Sequence, residues 1–168
     1  MFIAHFPTGY IGARAIEKLC PTVAVTLRLS ISRLFIIGNV IPDVDMLYFY
    51  LIDHRAHHHH LYWTHLPVFW ITLYLMTLAF ALVIRSKTMV ALGSALFSGI
   101  ILHLLLDTPM GGVAWLYPYS TTLIYLTTVP ARYSWWVLNF IFHWTFLTEM
   151  LICIVAGTLL YSKHRFKT

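Results

Sequence analysis

Charge is what this chain has least of. Only six acidic and eleven basic residues occur among 168, and the charged fraction is 10% against 60% apolar. The mean hydropathy is +0.76. Soluble domains carry about 25% charged residues, so an ordinary soluble enzyme is excluded and an integral membrane protein is indicated. Cysteine is nearly absent: Cys20 and Cys153 fall in or beside apolar stretches and build no disulfide framework. The Lys and Arg residues are scattered rather than gathered in a stripe, which argues against a nucleic-acid partner despite the net charge of +5. No G-x-S-x-G occurs, and Gly111-Gly112 lacks the lysine that a phosphate loop needs. The opening MFIAHFPTGY has no basic stretch leading into an apolar run, so no cleavable signal peptide is expected.

What is present is histidine. Six of the ten (His54, His57, His58, His59, His60, His65) lie between Ile41 and Pro67, in IPDVDMLYFYLIDHRAHHHHLYWTHLP, together with Asp43, Asp45 and Asp53. The block is internal and so is not an appended tag. Imidazoles and carboxylates at this density are the ligand set of a hard-to-borderline divalent metal.

Around this block the chain reads as apolar helix. Residues 8–20 form a short amphipathic helix with Thr8 as N-cap and Pro21 as its stop. Residues 22–41 form a second helix, in which Arg28 and Arg33 argue against lipid contact, a central arginine costing at least about 2.5–3.5 kcal/mol. Residues 66–84 carry no charge and are long enough to cross a membrane. Residues 89–106 form a second span, turned back by Arg85-Ser86-Lys87-Thr88. Residues 107–136, with Pro109, Gly111, Gly112, Pro118 and Pro130, are irregular and rich in interfacial aromatics. Residues 137–161 form the last span. The expected fold is all-α, an integral membrane bundle of about five helices forming a single domain over residues 1–168, with a metal site at one end.

Arg85, Lys87, Lys163, Arg165 and Lys167 place the 85–88 loop and the C-terminal tail on the cytoplasmic side. The four aspartates then fall at the opposite, non-cytoplasmic end. Alternating helix directions bring His5, Asp43, Asp45, His65, His103 and Asp107 to one rim, with His143 in reach. His103 and Asp107 (HLLLD) share one helix face at i and i+4; the alternative is a polar pair packed inside the bundle. In PDVD either a polar turn or ligation is natural, with Asp43 the favoured ligand. Asp53 is expected to hold an imidazole in orientation rather than bind metal. His57 to His60 point in several directions whatever the backbone, so not all can serve one site. Glu149 is expected to pair inside the bundle, with Arg33 as candidate.

The ordered segments AHFPTGY, GNVIPDVD, DHRAHHHHLYWTH and HLLLDTPMGGVAWLYP resemble the YdjM-type family of inner-membrane metal-dependent hydrolases, over about residues 4–120. The resemblance implies a multi-pass inner-membrane location, hydrolase activity, and a metal-site set of His5, Asp43, Asp45, His54, His65, His103 and Asp107. The extra histidines leave either His59 or His65 for the family's TH element. More distantly, His103 and Asp107 resemble an element of zinc-dependent phospholipases C. Those enzymes carry a later H-x-x-x-E, but Leu147 stands at that spacing after His143, so one or two ions are expected rather than three.

The chain is therefore expected to be a membrane-bound hydrolase using a divalent metal, zinc by preference. His5, Asp43, His65, His103 and Asp107 are the expected ligands, and Asp45 and His54 the expected catalytic groups. Trp63, Trp70, Trp115 and Tyr117 suit a substrate held at the lipid surface, a phosphoester or a lipid-linked ester, with membrane lipids as surroundings. Two other classes compete. A non-catalytic metal-binding or transport protein would use His57 to His60 for capture. A di-iron oxygenase would need several histidine boxes, where His54-x-x-His57-His58 supplies one.

Overall fold

A computed structural model describes residues 3–165. Among them the chain forms helices and turns, with one isolated antiparallel bridge between Val113 and Ile124. The expected five helices become seven among the described residues: α1 (His5–Leu19), α2 (Val25–Gly38), α3 (Asp45–Leu51), α4 (Pro67–Val83), α5 (Lys87–Asp107), α6 (Trp136–Ile141) and α7 (Phe146–Arg165). Short 3-10 turns at Ile41–Val44, His59–Leu61 and Trp63–His65 carry the PDVD and histidine segments. Lys167 of the basic tail lies outside the described residues, as do the side chains of Lys163 and Arg165.

The arrangement turns on two glycines. A Cβ on Gly38 would lie 2.1 Å from the Leu96 carbonyl oxygen, and one on Gly99 would lie 2.2 Å from that of Phe35. Here α2 and α5 touch backbone to backbone, as small residues allow where helices pack in lipid. One turn beyond Gly99 comes His103, and directly after Gly38 comes Asn39, so the crossing fixes the two side by side. On the other flank of α2, a Cβ on Gly9 of α1 would meet the Asn39 side chain at 3.2 Å. The Asn39 amide donates to the His5 carbonyl, which ties the start of α1 to the end of α2.

The start of α1 precedes its expected position. Thr8 does not cap it; its hydroxyl donates to the Ala4 carbonyl at 2.8 Å, inside the first turn. His5 is thereby held on a helix instead of a loose lead-in. Arg28 donates to the carbonyls of Cys20 and Pro21 and closes the α1–α2 turn. Arg33 is exposed, and buried Glu149 on α7 accepts instead from the Ile3 amide at 2.6 Å.

Among the described residues α5 is the helix long and apolar enough to cross a bilayer by itself; α2 with Ile41–Leu51 makes a second only as a broken span bent by 51°. At 1.5 Å per residue α5 is about 30 Å long, the thickness of a hydrocarbon core. Its Ser86 cap accepts from the Met89 amide at 3.2 Å, one of the bonds that satisfies a helix start. The expected 66–84 span shortens to the 17 residues of α4, at the lower limit of about 17 for crossing. The expected 137–161 span is broken between Ile141 and Phe146. Asn139 accepts from the Arg132 and Tyr133 amides and donates to the Tyr133 carbonyl, binding α6 to the preceding loop. His143 and Thr145 pair with each other in the break at 2.7 Å, side-chain bonding of the kind that competes with helix continuation.

Replacing Gly99 by valine is expected to destabilise the detergent-solubilised protein by at least about 1–3 kcal/mol, the usual cost of overpacking. Gly157→Ala, whose Cβ would meet nothing within 4 Å, serves as control. Thermal unfolding of the two variants checks this; equal melting temperatures would remove the crossing as the determinant of the fold.

Candidate metal centre

Four segments converge on one cluster. His5 opens α1, Asp43 lies in the 3-10 turn after α2, His59, His60 and His65 come from the turns before α4, and His103 and Asp107 end α5. The donor atoms of His5, Asp43, His103 and Asp107 all lie within 4.8 Å of one another, as do those of His59, His60 and His65. Asp107 joins the two groups. Its Oδ1 is 3.1 Å from His5 Nε2, and its Oδ2 lies 3.0 Å from His103 Nε2, 3.7 Å from His65 Nε2 and 3.9 Å from His60 Nε2. Asp43 faces three of the same nitrogens: Oδ1 lies 3.6 Å from both His65 Nε2 and His103 Nε2, and Oδ2 3.9 Å from His5 Nε2.

Outer contacts hold these rings in place. His103 Nδ1 donates to the Asn39 carbonyl at 3.1 Å, and His60 Nδ1 to that of Gly112 at 2.6 Å. His65 Nδ1 lies 2.7 Å from Asp45 Oδ2, which also accepts from the Thr64 hydroxyl. Trp70 on α4 donates to the Thr64 carbonyl at 2.7 Å and anchors that turn. A carbonyl or carboxylate behind these three imidazoles is the pattern that fixes the tautomer of metal-ligating histidines. It leaves Nε2 of His60, His65 and His103 as the inward atom.

His103 Nε2 and His65 Nε2 are 3.4 Å apart. Two nitrogens at about 2.0–2.1 Å from one tetrahedral zinc would sit about 3.3–3.4 Å from each other. Two inward lone pairs at that distance call for a cation between them. In the metal-free centre a proton serves: burial disfavours charge on His65, but hydrogen bonds to Asp43 and Asp45 and the charge of Asp107 outweigh it and raise the pKa to about 9. Burial pushes His60 the other way, to about 3, so that imidazole is neutral and ready to ligate at neutral pH.

All five expected ligands, His5, Asp43, His65, His103 and Asp107, are brought together, and Asp45 stands directly behind His65. His54 is not brought in. It is exposed, with Arg55 it adopts left-handed backbone (φ 47° and 65°), and it belongs to neither group. The turn after α3 directs it outward, so a catalytic part for His54 has no geometric basis. Asp53 does hold an imidazole, but that of exposed His57, at 2.7 Å. His143 sits in the α6–α7 break and in neither group. The residues that spacing left unresolved are His59 and His60. His60 is placed by glycine: a Cβ on Gly111 would lie 2.0 Å from His60 Cε1. The GG pair after HLLLDTPM was the available signal, and nothing in it names its partner.

The sequence model of the family described as YdjM inner membrane protein matches residues 1–166. The chain belongs to that family. No curated protein and no solved structure matches the chain, so the resemblance to zinc-dependent phospholipases C finds no support.

Two outcomes follow from this geometry. Gly111→Ala is expected to displace His60 and weaken metal binding by about 10–100-fold, the range for lost supporting contacts, as read by competition with a chelating dye. Metal must also displace the proton on His65, so affinity rises with pH and levels off near 9, with proton release below that point. Calorimetry in buffers of different ionisation enthalpy measures the release; none at pH 7 would contradict the assignment.

Proposed function

We propose that the chain is a membrane-bound, metal-dependent hydrolase acting on a phosphoester or lipid-linked ester at the bilayer surface. The carrying observation is the pair of inward nitrogens of His65 and His103, 3.4 Å apart and faced by Asp43 and Asp107. Mixed imidazole and carboxylate donors favour zinc among the available divalent ions. One ion fits between His65 and His103 with Asp43 and Asp107, and His5 is in reach of the same two carboxylates; His59 and His60 group beside His65, with His60 also facing Asp107. A divalent ion there supplies Lewis acidity, polarising the scissile group and lowering the pKa of water toward about 7.

The chain's own residues supply the rest. Asp45 holds His65 through Nδ1, which makes it a positioning group rather than the free base its sequence position implied. His59 is the partly exposed histidine of the cluster, its Nδ1 3.8 Å from Asp45 Oδ1, and stands at the edge of the centre. Buried Leu104 and Val113, which pack with Trp70 and Ile100, keep bulk water from the inner side.

Membership of an inner-membrane family and the length of α5 support a location in that membrane. With Arg85 and Lys87 held cytoplasmic by the positive-inside rule, the opposite end of α5, carrying His103 and Asp107, lies on the non-cytoplasmic face. The chain crosses more than once in this arrangement, the α2–α3 pair and α4 accompanying α5.

Hydrolysis of bis(p-nitrophenyl) phosphate and of a short-chain phospholipid is the direct test. His103→Ala and Asp107→Asn are expected to lower turnover by more than about 100-fold, beyond the loss for an orienting partner alone, while both variants still insert in the membrane. Retained turnover in both sinks the hydrolase. For sidedness, a cysteine at Tyr119, which is 97% exposed, should react with an impermeant maleimide from outside intact cells. One at Arg85 should react only after lysis, with Cys20 and Cys153 replaced by serine. The reverse pattern would put the centre on the cytoplasmic face.

A further inference from the structure

A cavity of about 890 Å³ adjoins the cluster, within the roughly 300–1,000 Å³ of small-molecule sites. Its walls are apolar and aromatic, including Ile41, Val44, Leu61, Tyr62, Trp63 and Trp70. Asp45 and Thr64 also line it, and these two bond each other and, through Asp45, His65. The cavity therefore shares a wall with the groups that hold the centre. Its outer rim is apolar too: Val44 is 57% and Trp63 58% exposed. In an inner-membrane protein that rim meets lipid, and tryptophan is the residue that favours the membrane–water boundary.

We infer that this cavity holds the hydrocarbon tail of a membrane lipid while the lipid's polar ester reaches the histidine–aspartate cluster. The inference rests on the hydrolase proposed above and narrows its substrate class to one with a long apolar chain. A water-soluble phosphoester would leave the apolar cavity faces of Val44, Leu61 and Trp63 uncovered. A lipid enters sideways from the bilayer, tail first along the rim, and presents its head next to Asp45 and His65. Asp53 and its exposed partner His57 also border the cavity and lend it a polar patch away from the buried cluster.

The test uses the full chain in detergent micelles and a phosphatidic acid with a diazirine in its acyl chain. After illumination, labelled peptides are mapped by mass spectrometry. Label is expected on residues 41–64, displaced by unlabelled dioleoyl phosphatidic acid and not by glycerol phosphate. Val44→Trp with Leu61→Trp should cut the labelling by at least about tenfold, the affinity of roughly two buried methylenes. Both positions are exposed, so the folded centre is retained and metal content confirms it. Chelator-treated protein should label as the untreated protein does, even though turnover stops. Wall labelling without hydrolysis of any substrate would sink the hydrolase and leave the tail site standing. Label spread over the outer faces of α4 and α7, unchanged by the two tryptophans, would overturn the tail site whatever the activity.

Discussion

Asp107 is a buried carboxylate at the end of an apolar helix, and its surroundings are arranged to make that tolerable. A lone carboxylate in such a place is among the costliest groups a membrane protein can carry. Here four imidazole nitrogens from two other parts of the chain and from its own helix lie within 3.9 Å of its two oxygens. Three of those imidazoles, His5, His65 and His103, also face half-buried Asp43, so these histidines and the two aspartates support one another. Two carboxylates among neutral imidazoles leave an excess of negative charge, and the hydrogen bonds to Asp43 and Asp45 with the charge of Asp107 raise the His65 pKa to about 9.

The helices serve that convergence. Gly38 and Gly99 let α2 and α5 touch at the backbone, and the contact sets Asn39 beside His103 and the 41–44 turn beside Asp107. Asn39 then fixes two histidines of the cluster, His103 through its carbonyl and the first turn of α1, with His5, through its amide. Glu149 on α7 holds the Ile3 amide just ahead of His5. The polar groups thus crowd one end of α5, while its length of about 30 Å carries apolar side chains toward Lys87. Such asymmetry suits chemistry at a membrane surface better than passage through the midplane.

Much of the centre was legible in the sequence. The i, i+4 spacing of His103 and Asp107 needs only a helix to put both on one face, and PDVD after a helix-stopping proline needs only a hairpin to meet them. The irregularity of residues 107–136 followed from its prolines and glycines. The histidine run was not legible. It folds as 3-10 turns whose direction is set by Gly111, Gly112 and Trp70, up to 52 positions away, and no local period records such contacts. The family resemblance favoured His54 over His60; the left-handed backbone at 54–55 goes with an exposed His54, while Gly111 and Gly112 hold His60 inside. The break near His143 was likewise hidden, because apolar residues flank it on both sides and the bonds made there, Asn139 to the preceding loop and His143 to Thr145, leave no local period.

The measurement that bears most directly on the centre is metal content of the detergent-purified protein by elemental analysis, wild type beside His103→Ala. One or two zinc ions per chain, lost in the variant and retained when His57 and His58 are both replaced by alanine, is the predicted result. A metal-free wild type, or metal lost only when His57 and His58 are replaced, would contradict it and leave the buried cluster a network of hydrogen bonds and protons.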